Sequence, residues 1–115
     1  MPGMARVRVM YWKEIPVQVQ AEDENGRVSR QLPERFQQAA DVVAMRDGSE
    51  GTDEYLEAWG FGQYEERDGN AADAAEAVAV KLENMPGDFV ASIIMMHQDG
   101  SRNPVPGAID HWVVS

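Results

Sequence analysis

Two histidines, several runs of carboxylates and a set of arginines are the residues here whose types and spacing could do chemistry. His97 and His111, with Asp99 and Asp110, offer the nitrogen and oxygen donors of a divalent metal site. Neither the helical motif with paired histidines nor a facial-triad spacing is present, so no metal is expected and both histidines read as ordinary residues. Glu65-Glu66, Asp53-Glu54 and Glu22-Asp23-Glu24 could supply an acid and a base, but such catalysis needs one carboxyl held in a cleft with a raised pKa. Nothing in their surroundings provides that, and they are expected on solvated faces. Gly60-Phe61-Gly62 is too short for a phosphate-binding loop and lacks the strand-to-helix setting. No catalytic residue and no cofactor is assigned.

The arginines are more informative. Arg30, Arg35 and Arg46, joined by Arg6 and Arg8, are candidates for holding a carboxylate or phosphate, because the guanidinium binds such groups through two parallel hydrogen bonds. The competing reading is internal pairing with Glu34, Asp41, Asp47 and the acidic second half of the chain. Tyr11, Trp12, Tyr55 and Trp59 read as a cluster where the first strand meets the second helix, with Trp12 as a candidate interface anchor.

The elements that position these residues follow from periodicity. Residues 6–12 alternate, with Val7, Val9 and Tyr11 on one side, and residues 15–21 alternate after a tight connection at Lys13-Glu14. Pro16 belongs at a strand start or an edge, since it cannot donate to a ladder. Asn25-Gly26 suggests a type I′ hairpin into residues 27–32. Phe36, Ala40 and Val43 recur at helical spacing after Pro33, and Gly48 is a natural C-terminal stop. Thr52 is a candidate N-cap for a short helix that puts Tyr55, Leu56 and Trp59 on one face. Residues 61–67 read as a strand, although Phe61 and Tyr64 fall on opposite faces under strict alternation. Asn70 or Asp68 would cap an alanine-rich helix running to about Met85, with small residues on the face that packs. Residues 88–97 are apolar, and periodicity leaves helix and strand both open.

The expected fold is therefore α+β: an antiparallel sheet of three to four strands in the order β-β-β-α-α-β-α, with helices on one face. Residues 1–86 form the compact domain, and residues 87–115 are a C-terminal extension, a helix or strand followed by an arm. At 115 residues the chain has room for one core, burying roughly two-thirds of its unfolded surface.

Charge narrows the partners. The formal net charge is −10, with 43% hydrophobic and 26% charged residues, so an ordered domain is expected and nucleic acid and anionic membranes are disfavoured. Residues 1–46 carry seven basic and six acidic side chains, whereas residues 47–115 carry three and fourteen. There is no cysteine, which removes disulfides and thiolate metal sites. No N-terminal segment joins a basic flank to an apolar run, and no stretch nears the ~20 apolar residues of a membrane span. A cytoplasmic location is expected.

Tyr11-Trp12, Ile15-Pro16, Gly26-Arg27, Arg30-Gln31-Leu32, Glu34-Arg35-Phe36, Ala44-Met45-Arg46 and Tyr55-Leu56-Glu57-Ala58-Trp59 together resemble the bacterial "virulence factor" family. That domain is found alone and as a module of conserved virulence factor C. The resemblance covers residue 9 to about residue 82. It implies no reaction and carries no catalytic residues over. In the staphylococcal relative the domain accompanies helical repeats and a segment similar to iron–sulfur scaffold N-terminal domains, which implies an assembly or accessory role; this chain has neither companion.

Two functions are expected from these features. The first is a non-enzymatic accessory or protein-interaction domain, binding a protein partner or a second copy through its open sheet face or its tail, with Trp12, Phe89, Ile93, Met96 and Trp112 as the contact residues. The second is a small subunit that holds an anionic metabolite of one-carbon or redox metabolism through Arg30, Arg35 and Arg46.

Overall fold

The alternation of the first third becomes three strands in the computed structural model, which describes residues 3–114. β1 (Met4–Trp12), β2 (Ile15–Asp23) and β3 (Gly26–Gln31) form an antiparallel meander. Lys13 and Glu14 are the two-residue turn of the first hairpin, and Lys13 takes a left-handed φ of 51°. Pro16 lies in a central strand. It is tolerated there because the register slips between Met10 and Tyr11, leaving Val17 as the extra residue of a bulge. The second hairpin is not type I′. Asp23 pairs with Gly26, and of the residues around the turn only Gly26, at φ 135°, is positive. The Asp23 carboxylate accepts from the Asn25 backbone N–H at 2.8 Å, an Asx turn that competes with the expected geometry.

α1 (Glu34–Asp47) ends at Gly48, whose φ of 85° is the left-handed stop its position suggests. α2 (Asp53–Glu57) is shorter than expected. The Thr52 hydroxyl donates to the Ser49 carbonyl at 2.7 Å instead of capping α2, and Trp59 leaves the helix to enter the sheet. Leu56 is consequently exposed at 69%, not part of the core.

The segment expected as one strand is two. β4 (Trp59–Phe61) pairs with the end of β1 and β5 (Glu65–Asp68) with its beginning, so the sheet has five strands, with β1 flanked by β2 on one side and by β4 and β5 on the other. The irregular step at residues 62–64 has a physical consequence: Phe61 and Tyr64, which strict alternation would separate, both reach the guanidinium of Arg8.

α3 (Ala71–Leu82) is capped by Asn70, whose side-chain oxygen accepts from the Asp73 N–H at 2.7 Å. Its buried Ala71, Ala74, Ala75 and Ala79 bring the helix close across the first three strands. Residues 89–97 belong to a helix, α4 (Phe89–Asp99), with Asp88 at its N-cap position and Gly100 as its stop. Phe89, Ile93 and Met96 recur one turn apart and α4 packs against α1, with the Phe89 and Phe36 rings 5.5 Å between centres. Packing continues across Pro86: Phe89, Ile93 and Ile109 join the buried cluster that contains Trp12, Ile15, Phe36 and Val43. The arm closes on a short 3₁₀ turn (Asp110–Trp112), and the Val114 N–H donates to the Asn84 carbonyl. No helix among the described residues is long and apolar enough to cross a membrane.

Ile93 is 1% exposed, so Ile93→Ala leaves a cavity in the shared core. Chemical denaturation is expected to show a loss of about 2–5 kcal/mol; a change below about 0.5 kcal/mol would mean that α4 does not belong to that core.

Candidate interaction surface

The arginines proposed for anion binding are mostly engaged within the chain. Arg30 on β3 reaches α3, pairing with Glu76 at 2.7 Å and Glu83 at 2.9 Å. Arg35 on α1 donates to the carbonyls of Glu83 and Met85 at 2.9 and 3.0 Å, closing backbone acceptors beyond the end of α3, and its guanidinium lies 4.5 Å from the Phe36 ring centre. Arg46 is exposed near the C-terminal end of α1 and makes no hydrogen bond or ion pair among the described residues. The three do not converge on one site.

Most of the apolar residues proposed as partner contacts are also spoken for. Trp12 is fully buried, donates its indole N–H to the Tyr55 carbonyl at 3.0 Å and stacks on the Tyr55 ring at 5.5 Å. Phe89 and Ile93 face the core. Met96 and Trp112 are half-buried. A side chain that already fills the core has no surface left to give a partner, so Trp12, Phe89 and Ile93 are reassigned to packing. His97 and His111 do not join a metal-ligating cluster: among the described residues no group of three or more such side chains comes together.

A buried ion network that the sequence did not reveal lies at one end of the molecule. Arg102, 5% exposed, pairs bidentately with Glu14 at 2.7 and 2.8 Å and reaches Asp47 at 3.0 Å. Lys13 joins Asp47 at 2.7 Å and continues to Glu54 at 2.6 Å. Ser49 donates both its hydroxyl and its N–H to the other Asp47 oxygen, at 2.6 and 3.0 Å. Burial works to raise the Asp47 pKa, but the hydrogen bonds from Lys13, Ser49 and Arg102 prevail and hold it well below the ordinary carboxylate range. Glu14 and Arg102 are 88 positions apart, beyond any local pattern. One signal was available: Arg102 is the only Lys or Arg after Lys81, in a segment otherwise acidic or apolar.

The helices cover one face of the sheet; the other is an ordered polar surface. Its cross-strand rows are Glu66–Arg6–Glu22–Arg27, Arg8–Gln20–Ser29 and Phe61–Met10–Gln18–Gln31. Glu22 bridges Arg6 and Arg27 and is held below the usual carboxylate range, first by Arg6 and then by Arg27. Gln20 donates to Gln18, and Gln18 to Gln31, at 3.0 and 3.2 Å. Arg8 differs from the other arginines of this face. Its guanidinium lies 3.7 Å from the Phe61 ring centre and 4.8 Å from that of Tyr64, and its hydrogen bonds go to the Gln20 amide oxygen at 3.1 and 3.2 Å. The Arg6 guanidinium also lies over the Tyr64 ring, 4.4 Å from its centre. Among the described residues, Arg8 has no carboxylate partner.

These features define a small α+β domain with an open five-stranded antiparallel sheet, helices on one face and an arginine–aromatic patch on the other. The family model described as "Virulence factor" matches residues 10–90, and the chain belongs to that family. Comparison with curated proteins and with solved structures finds no match. Glu14 and Asp47 lie within the matched segment, whereas Arg102 lies outside it.

Arg102→Met strands the buried Glu14 carboxylate and removes one partner of Asp47, and is expected to cost roughly 3–5 kcal/mol. The double variant Glu14→Met/Arg102→Met recovers part of that loss, because it removes a buried charge together with its partner. Equal stability of the single and double variants would contradict a coupled pair. The unfolded Asp47 binds its proton before the native one, so the stability this group contributes is present at neutral pH. It begins to fall below the ordinary carboxylate range and is lost through the depressed native value. Denaturation across the acid range is the corresponding measurement; stability that stays flat there would contradict the assignment.

Proposed function

We propose that this chain is a non-catalytic accessory domain that docks on a protein partner through the helix-free face of its sheet, with Arg8 as the anchor and acidic side chains on the partner. The observation that carries this reading is Arg8 held between Phe61 and Tyr64 with its charge uncompensated by any carboxylate among the described residues. Aromatic and arginine side chains are the commonest hot spots of protein interfaces, and a guanidinium already fixed by stacking loses little further freedom on binding. Phe61 is 44% exposed, which leaves apolar area to bury beside the charge.

The charge balance favours a different protein over a second copy. A two-fold contact through this face would set one arginine patch against its equivalent, whereas an acidic patch on another protein would complement it. The anionic-metabolite reading is weaker because Arg30 and Arg35 already have internal acceptors. Accessory action in a bacterial cytoplasmic complex remains the reading that accommodates the family and this surface together.

Tagged protein expressed in its native host, cross-linked and purified, is the test. Arg8→Glu and Phe61→Ser are each expected to reduce recovery of the bound protein by about thirtyfold or more, the effect of losing a hot spot. Arg46→Glu, an exposed charge elsewhere, leaves recovery unchanged. Recovery of a stoichiometric partner that is indifferent to Arg8→Glu and Phe61→Ser, or isolation of the chain only as a free monomer, would overturn the proposal.

A further inference from the structure

A second feature lies on the helix-covered side, where the C-terminal arm folds back over β1. The Tyr11 hydroxyl donates to Oδ2 of Asp110 at 2.5 Å, across 99 positions of sequence. The other Asp110 oxygen, Oδ1, is buried and has no hydrogen-bond partner. An acceptor left unmatched away from water costs on the order of 1–3 kcal/mol, which marks Asp110 as a group with hydrogen-bonding capacity that the protein itself does not use.

Asp110 lines a cleft of about 350 Å³ between β5, α3 and the arm, with Val7, Val9, Val78 and Leu82 as its apolar wall. Two glycines shape it. A Cβ on Gly62 would stand 3.1 Å from the Tyr11 ring, and Gly107 takes a left-handed φ of 85° in the turn that precedes Asp110. Besides Arg8 of β1, which also borders the cleft, three further charged residues line the same space. Glu65 and Arg67 sit opposite Val7 and Ala5 in the β1–β5 ladder, which directs them to the covered side, and Lys81 comes from α3.

These four groups, two acidic and two basic, form no ion pair with one another or with any other described residue. Elsewhere in the molecule Arg6, Lys13, Arg27, Arg30 and Arg102 are all paired. Burial pushes the Asp110 carboxyl above its ordinary range against the Tyr11 hydrogen bond and the nearby Lys81, and Glu65 adds to the rise, so a cation placed between the two carboxyls would be stabilised. Opposite charges set around one small cleft with an apolar wall complement a ligand that carries both signs.

We propose that this cleft binds a small zwitterion, a free α-amino acid, its ammonium between the Asp110 and Glu65 carboxyls and its carboxylate against Arg67 and Lys81, with the side chain on the Val78 and Leu82 wall. Arg8 borders both this cleft and the open sheet face, but the cleft is proposed for a small ligand held by other residues, and the two roles are tested by different measurements.

The test is a titration of the full chain with each standard protein amino acid, followed by amide NMR and calorimetry, with ethylamine and acetate as single-charge probes. At least one amino acid is expected to give saturable shifts at Tyr11, Glu65, Lys81 and Asp110, at affinities at least about tenfold tighter than either single-charge probe. Asp110→Asn, which keeps an acceptor for Tyr11, and Lys81→Gln, at an exposed helix position, should each weaken binding by about tenfold or more while leaving amide shifts outside the cleft unchanged. The proposal is overturned if no amino acid gives saturable shifts there, if ethylamine or acetate alone binds as tightly, or if both variants bind as well as the parent.

Discussion

The pairing of Arg102 with Glu14 and Asp47 is the constraint on which the remaining architecture rests. It joins the turn of the first hairpin, the last turn of α1 and the residues just after α4, three places that no local rule brings together. A buried guanidinium has large desolvation to offset and does so only when its donors are matched. Here two carboxylates meet it, and the second is itself neutralised by Lys13 and fixed by Ser49. The network therefore acts less as a source of stability than as a specification: a placement of the segment beyond Asp99 that withdraws Arg102 leaves Glu14 without its guanidinium partner and Asp47 with Lys13 and Ser49 alone.

With the tail placed this way, the two sides of the sheet acquire different roles. One side is closed by α1, α3, α4 and the arm around Phe36, Ile93 and the valines of β1 and β2. The other is left to ladders of Arg, Gln and Glu that satisfy each other in rows, and it needs no cover to be stable in water. Arg8 is the exception in those rows, with its charge resting on aromatic faces. An acidic chain that keeps a cationic, partly apolar patch on its open side is suited to meeting an acidic surface on another protein. The family match takes in α1 and the sheet from residue 10 onward, leaves Arg6 and Arg8 outside it, and names no reaction of its own.

What was legible in the sequence was local. Alternation located the first three strands, Gly48 stopped α1 where expected, and the alanine face of α3 announced a close approach to the sheet, because each of these depends on residues within a few positions. The Asn25-Gly26 turn misled because the Asp23 carboxylate offered its own hydrogen bond to the backbone. Residues 88–97 could not be resolved by periodicity, since a short apolar run fits a strand and a helix equally; the contact of Phe89 and Ile93 with α1 decides it. Trp12 looked like an anchor because its neighbours Arg8 and Met10 are on the open side, but the short α2 supplies Tyr55 to cover it. Glu65 is exposed, as expected of that acidic run, and also borders a cleft, whose other carboxylate, Asp110, enters from an arm that had no recognisable pattern at all. Charge pairing across 88 positions and a cleft closed by the last turn are tertiary facts with no local signature.

The central claim is that α4 and the arm belong to one cooperative unit with the sheet, fastened through Arg102, so that the helix-free face is the surface left for a partner. Native-state hydrogen exchange measures this directly. The amides of α4 and those of β1 and β2 should open with the same free energy, that of global unfolding, and α4 should lose this protection selectively in Arg102→Met. If α4 exchanges in the parent protein through a separate opening at much lower free energy than the sheet, the tail is not held as described and the covered face is not closed.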